Sequence, residues 1–139
     1  MRTVVRPLPH DLAVVAALET VGRPVGYGNA PANALTTSGL PATDYLVIYR
    51  VGGQRSGTLN DPFSDAVLTY QINAVGRLPD GVAWLLGQVE QALLGAAIVD
   101  RVVTRVEPVA EQGPQADRDV GPPHPFWGFQ QVQLSTVPA

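Results

Sequence analysis

Two histidines, a scatter of serines and threonines, and two aspartate pairs are the side chains in this sequence suited to acid–base or nucleophilic chemistry. Acyl transfer needs a nucleophile, a histidine base and a carboxylate that orients the base. The chain has no cysteine, which excludes thiol nucleophiles, disulfides, zinc–thiolate sites and iron–sulfur ligation. His10 stands at a predicted helix start and His124 lies inside GPPHPF. Neither sits in a strand–nucleophile–helix context that would present a serine for attack. Cap or turn roles are predicted for both. A small hydrolase using His10 or His124 with a nearby Asp is the enzymatic alternative, and only the presence of these residue types motivates it.

The carboxylate pairs are Asp61 with Asp65 and Asp117 with Asp119. NDPFSD has the acids and amide of a calcium loop but lacks its glycine and its distal bidentate glutamate, so Asx-turn and capping chemistry is expected there. ADRD, with Arg118 between two acids, suits an ion-pair ladder. GYGNA and GGQRSG are Gly-rich, yet a phosphate-cradling loop needs Gly-Lys-Ser/Thr, and this chain has no lysine. No cofactor and no metal is expected. A ligand-binding module that uses the long loop before Asp44 is a further alternative, weakened by the loop's shortage of convergent polar and aromatic groups.

The chain has 139 residues, a formal charge of −3 and a pI near 5.2. A single domain of this length buries roughly two-thirds of its unfolded surface and needs no staple. The acidic balance argues against a general nucleic-acid binder, which must neutralise phosphates to gain affinity from counterion release. All nine basic residues are arginine. Codon bias in a GC-rich genome accounts for that, as does a use for planar multi-donor side chains at interfaces. Apolar runs fall far short of the ~20 residues of a membrane span. MRTVVRPLPHD lacks the apolar core of a signal peptide, so a cytoplasmic protein that later joins an assembly is expected.

The elements that must position these residues follow from periodicity. PHDLAVVAALETVGRP reads as a first helix, opened by His10 or Asp11 as cap and closed by Gly22, with Leu12, Val14, Val15, Ala16, Leu18 and Val21 as a broad apolar stripe. Residues 22–44 read as a loop. Residues 44–51, DYLVIYRV, and 66–75 read as strands joined by a Gly-rich loop. In the second strand Leu68, Tyr70, Ile72 and Ala74 face the core, and Val67, Thr69, Gln71, Asn73 and Val75 face out. Asp80 is placed as cap of a second helix with Val82, Leu85, Leu86, Val89 and Leu93 at helical spacing. Trp84 falls off that stripe, to pack on the sheet's rim or to meet a partner. A strand is expected around residues 102–109, with Pro108 marking an edge or an end, and EQGPQADRDVGPPHP is expected to be a loop. The closing strand, FWGFQQVQLSTV, changes apolar parity after Phe129, so a β-bulge is expected near Gln130 and Gln131. The predicted fold is α+β: a four-stranded, largely antiparallel sheet with two helices packed on one face and long loops.

The order of these features resembles the tail terminator proteins of tailed, siphovirus-type phages of actinobacteria. DYLVIYRVGGQRSGTLNDPFSDAVLTYQINAVG carries the most specific part, followed by AWLLGQVEQALLG, RVEPV, RD and PPHPFWGFQQVQLST; the likeness runs in order over residues 1–138. The resemblance implies a virion protein forming a hexameric ring on the head-proximal end of the tail tube. Such a ring ends tube polymerisation and docks the head-completion proteins. Its implied partners are further copies of itself, the tail tube protein and a neck protein, with DNA passing through unbound and no membrane contact. A neck or head-closure protein or a tube subunit is the nearby structural alternative.

Under this resemblance Arg50, Gln54, Arg55, Thr58 and Phe63 belong to the strand end and loop that reach a neighbour, and Thr69, Gln71 and Asn73 to a face that packs on one. Six copies at −3 each total −18, which would suit a DNA conduit if Asp61, Asp65 or Asp117 lined its lumen.

Overall fold

The structure, a computed structural model, describes residues 7–56 and 65–139. In chain order the elements are α1 (Pro7–Glu19), β1 (Val25–Tyr27), β2 (Tyr45–Ser56), β3 (Asp65–Gly76), α2 (Pro79–Leu93), β4 (Arg101–Ala116) and β5 (Phe126–Pro138). They form an α+β fold with one five-stranded mixed sheet in the order β1-β2-β3-β5-β4. The four long strands are antiparallel, as expected, and the fifth, β1, pairs parallel with β2 through Val25–Leu46, Gly26–Val47 and Tyr27–Ile48. The four-strand expectation missed β1 because three residues are too few to display a period of two.

The central strand β3 behaves as its alternation dictates, with every even-numbered residue from Ala66 to Gly76 buried. Leu68, Tyr70, Ile72 and Ala74 join Leu46, Ile48, Val132 and Leu134 in the main core. Val14 and Leu18 of α1, and Val82, Leu85, Val89 and Leu93 of α2, close it from one side. This burial is the main stabilising term, since each of these side chains contributes about 1.5–3 kcal/mol when fully withdrawn from water. A smaller cluster lies on the opposite face, where Ala34 covers Tyr45 and Val47. The segment between β1 and β2 is therefore folded over one end of the sheet, pinned by a bridge between Leu35 and Pro41.

Helix α1 is described from Pro7 onward, and its last turn leads to Gly22 at φ 87°. His10 and Asp11 are not caps. Both are 1% exposed and belong to the buried face with Val14, Ala17 and Leu18. That choice of face leaves Leu12, expected in the stripe, 55% exposed. In α2 the cap position is Leu78, without a side-chain cap; Asp80 lies in the first turn, where its charge still complements the helix dipole.

Two further expectations are corrected on the far side of the sheet. Strand β4 extends to Ala116, so the first part of the expected loop is strand, held by pairs such as Glu111–Gln130 and Gln115–Trp127. It is an edge strand, which accommodates Pro108, and its register shifts at Val103/Arg105, Pro108/Ala110 and Gln112/Gln115. The irregularity expected in β5 is thus in its partner: β5 pairs with β3 without a shift from Phe126 to Thr136. Gly128, Gln130, Val132, Leu134 and Thr136 face the helices, and Trp127 and Phe129 face away.

Candidate functional site

The face of the sheet turned away from the helices carries the three β3 residues that the sequence placed outward. β3 presents Thr69, Gln71 and Asn73 there, and β5 sets Gln133, Gln131 and Phe129 directly opposite them. Gln131 Nε2 donates to Gln71 Oε1 at 3.1 Å, and Gln71 Nε2 donates to Asn73 Oδ1 at 3.0 Å. Cross-strand neighbours on one face are the unit of sheet stabilisation, and here they form a chain of amides. Trp127 and Phe129 continue the patch, their rings 6.4 Å apart and 19° from parallel. Val67 and Ser135 are paired at the other end. All of these side chains are half-buried in the lone chain.

Charge on this face is confined to its margins. Arg105 and Glu107 of the edge strand pair with each other at 3.1 Å, and Asp65 begins β3. The outward orientation expected for Thr69, Gln71 and Asn73 is observed, whereas the sequence reading did not place Gln131, Gln133 and the two aromatics beside them. An unbroken alternation from Gly128 to Thr136 is the signal that could have found them, had Trp127 and Phe129 been allowed outside.

On the helix side a second group of residues converges, one that only the fold assembles. The Asp11 carboxylate accepts hydrogen bonds from the Tyr70 hydroxyl at 2.7 Å, from the Tyr27 hydroxyl, and from Arg50 Nε at 3.2 Å. One side chain thereby ties α1 to β1, β2 and β3. Arg50 and Tyr70 are cross-strand partners, and the register of β2 shifts immediately beyond Arg50. A bulge there re-aims the strand, so that Gly52 and Gln54 return to the outer face opposite Thr69 and Val67. The hydrogen bond to Asp11, with desolvation behind it, raises the Tyr27 pKa; desolvation first and the same carboxylate second push Tyr70 far above the ordinary phenol range. Activation of a tyrosine as nucleophile or base would require the opposite shift.

Beside Asp11, His10 Nε2 lies 2.9 Å from Thr136 Oγ1, which also accepts Arg101 Nε at 3.0 Å. Arg101 Nη2 donates to the Thr136 carbonyl at 3.1 Å, and desolvation lowers the Arg101 pKa. His10 is thus a buried tether of α1 to β5, whereas His124 holds a turn by donating from Nδ1 to the Val120 carbonyl at 2.6 Å. The hydrogen bonds described for the two histidines, to Thr136 and to Val120, belong to separate parts of the fold.

The remaining predicted residues are dispersed. Arg50 is committed to Asp11, and Gln54 is exposed on the outer face of β2. Arg55 belongs to β2; Thr58, Asp61 and Phe63 lie outside the described residues. Asp65 and Asp117 are at opposite ends of the sheet, roughly 36 Å apart at about 3.3 Å per residue, so one rim cannot hold both. Asp117 Oδ1 accepts the Asp119 N–H at 3.1 Å, an Asx-type turn in place of the expected ion-pair ladder. Trp84 is 48% exposed, with the Arg23 guanidinium 5.4 Å above its ring. No group of three or more His, Cys, Asp or Glu among the described residues could hold a metal ion. Among them, too, no helix is long and apolar enough to cross a membrane.

No protein-family model matches the chain, and no curated protein matches it.

Proposed function

We propose that this protein is a structural subunit of the tail-terminator kind. In this reading, copies form a ring, six to the ring, that caps the head-proximal end of a phage tail tube, ends its polymerisation and receives the head-completion proteins. The observation that carries the reading is the outer sheet face: an amide chain through Gln131, Gln71 and Asn73 beside a stacked Trp127–Phe129 pair, with charge only at its margins. Interface centres are depleted in charged residues and enriched in aromatics. Amides already paired to one another expose apolar stems and can be covered without stranding a charge.

The edges of the sheet support the same reading. β4 is a 16-residue edge strand, and β2 has a partner in β1 only over three residues. A ring requires each subunit to offer two different surfaces to its neighbours, and a sheet with two unlike open edges has them. The polar clusters at His10 and Asp11 act as internal tethers, because every hydrogen bond described for them joins α1 to the sheet.

Electron microscopy of particles assembled without the protein is the decisive experiment. Tails of uncontrolled length, or filled heads that fail to join tails, are expected; tails of normal length joined to heads would refute the reading. Six-fold ring density at the top of the tube, labelled through a tag on this chain, is the complementary positive result.

A further inference from the structure

His10 is a buried titratable side chain that the outer-face reading does not use, and its bonds reveal its protonation state. The residue is 1% exposed, as is Thr136, whose hydroxyl oxygen lies 2.9 Å from His10 Nε2. That same oxygen accepts Arg101 Nε at 3.0 Å. A guanidinium has donors only, so Arg101 cannot take the hydroxyl proton. Among the described residues the Thr136 hydroxyl has no partner besides these two nitrogens. Thr136 therefore donates to Nε2, which leaves the imidazole neutral with its proton on Nδ1.

The surroundings are balanced for that neutral form. On α1 itself, Asp11 is paired with Arg50 of β2 and accepts the Tyr70 and Tyr27 hydroxyls from β3 and β1. From β4 comes the Arg101 guanidinium, whose charge is favoured by Asp65 at the start of β3. The buried residues of α2 are the apolar Val82, Leu85, Val89 and Leu93, and β5 adds the apolar Val132 and Leu134 beside Thr136. Each of these charges has its opposite, and none is left over for an imidazolium. A proton on Nε2 would strand the Thr136 hydroxyl hydrogen. It would also put a second cation within about 6 Å of Arg101 Nε, since both nitrogens bond one oxygen, and like charges that close in a desolvated site oppose each other.

We propose that His10 is an acid-sensitive latch. Neutral, it holds α1 on β5; protonated, it releases the helix and uncovers the face formed by Val14, Ala17 and Leu18. An imidazole in water takes up its proton near pH 6.5, so the released helix binds one proton more than the docked one below that pH. The release equilibrium therefore gains about tenfold per pH unit as pH falls below about 6.5. What this contact contributes to stability is present above that pH and lost below it. The latch does not depend on the ring reading, because all of its groups lie in one chain.

Measurements on the intact chain test it. In ¹⁵N-resolved NMR near neutral pH, His10 should show an unprotonated Nε2 and a protonated Nδ1; the opposite tautomer or an imidazolium would overturn the latch. In amide exchange between about pH 5 and 8, corrected for its intrinsic pH dependence, α1 should exchange faster than β3. Its protection should fall about tenfold per pH unit below about 6.5, and an α1 indifferent to pH would refute the proposal. His10→Gln keeps an acceptor near the position of Nε2 without a titratable ring, so its α1 protection should stay level within about twofold over that range. An equal slope in that variant would assign the effect to other groups and overturn the role of His10. Exchange of α1 and β3 amides at one common rate would show that the helix is not released apart from the rest of the fold, which also overturns it.

Discussion

Replacing Asp11 with alanine removes in one step the acceptor shared by Tyr70, Tyr27 and Arg50. The three donors do not suffer equally. Tyr70 is fully buried, so its hydroxyl loses a charge-assisted bond with no water to replace it, a cost of about 2–3 kcal/mol. Tyr27 is 49% exposed and its hydroxyl can turn to solvent. The Arg50 side chain is 39% exposed; its guanidinium rehydrates, and an ion pair at that exposure is worth about 0.2–1 kcal/mol.

Asp11→Ala should therefore destabilise the fold by about 3 kcal/mol, which for a chain of this size lowers Tm by roughly 10 °C. Tyr70→Phe removes the donor and leaves Asp11 with two others, at about 1–1.5 kcal/mol. Because the double variant contains no stranded hydroxyl, adding Asp11→Ala to Tyr70→Phe should cost only about 1 kcal/mol. The cycle should thus return a coupling near 2 kcal/mol. Urea unfolding followed by the fluorescence of Trp84 and Trp127 measures all four states. Additive losses, or an Asp11→Ala cost below about 1 kcal/mol, would refute the tether.

Because the Tyr70 pKa is raised in the folded state above its unfolded value of 10.0, the fold holds more protons than the unfolded chain above pH 10. The stability that this group contributes should be undiminished below that pH and fall as pH rises past it, by at most about 1.4 kcal/mol per pH unit; Tyr70→Phe should flatten that limb in urea titrations at several pH values. Gly87→Ala should stabilise the chain by about 1 kcal/mol, because it adds a Cβ in open space within a helix. Gly128→Ala should destabilise it by about 1–3 kcal/mol, since its Cβ would lie 2.7 Å from the Gln112 carbonyl oxygen and 3.0 Å from Leu86; thermal melts distinguish the two signs. Under the proposed function, Gln71→Glu combined with Asn73→Glu should leave urea unfolding within about 1 kcal/mol of wild type and prevent ring formation, and rings formed by the variant would mean that this face is merely wetted.

Where one period governed a segment, the sequence was a sufficient guide. The alternation of Leu68, Tyr70, Ile72 and Ala74 determined both the strand and the face it buries, and Val82, Leu85, Val89 and Leu93 did the same for α2. Local pattern also excluded thiol chemistry and a lysine-bearing phosphate loop, which depend on residue type alone. It failed where a polar side chain is inside or an aromatic one outside. His10 and Asp11 read as caps because their types favour helix starts; they are buried because Thr136, Tyr70, Arg50 and Tyr27 converge on them from 126, 59, 39 and 16 residues away.

The same limit hid the amide chain, whose Gln131–Gln71 bond spans 60 residues, and the bulges of β4, which exist only relative to β5. It also put Trp127 and Phe129 on the wrong face, since hydrophobicity marks a residue as worth covering without saying what will cover it. Periodicity thus determined which elements form and which apolar face each one buries. Tertiary structure decided which polar groups are satisfied inside, because a buried hydrogen bond is stable only when its partner is delivered from elsewhere in the chain.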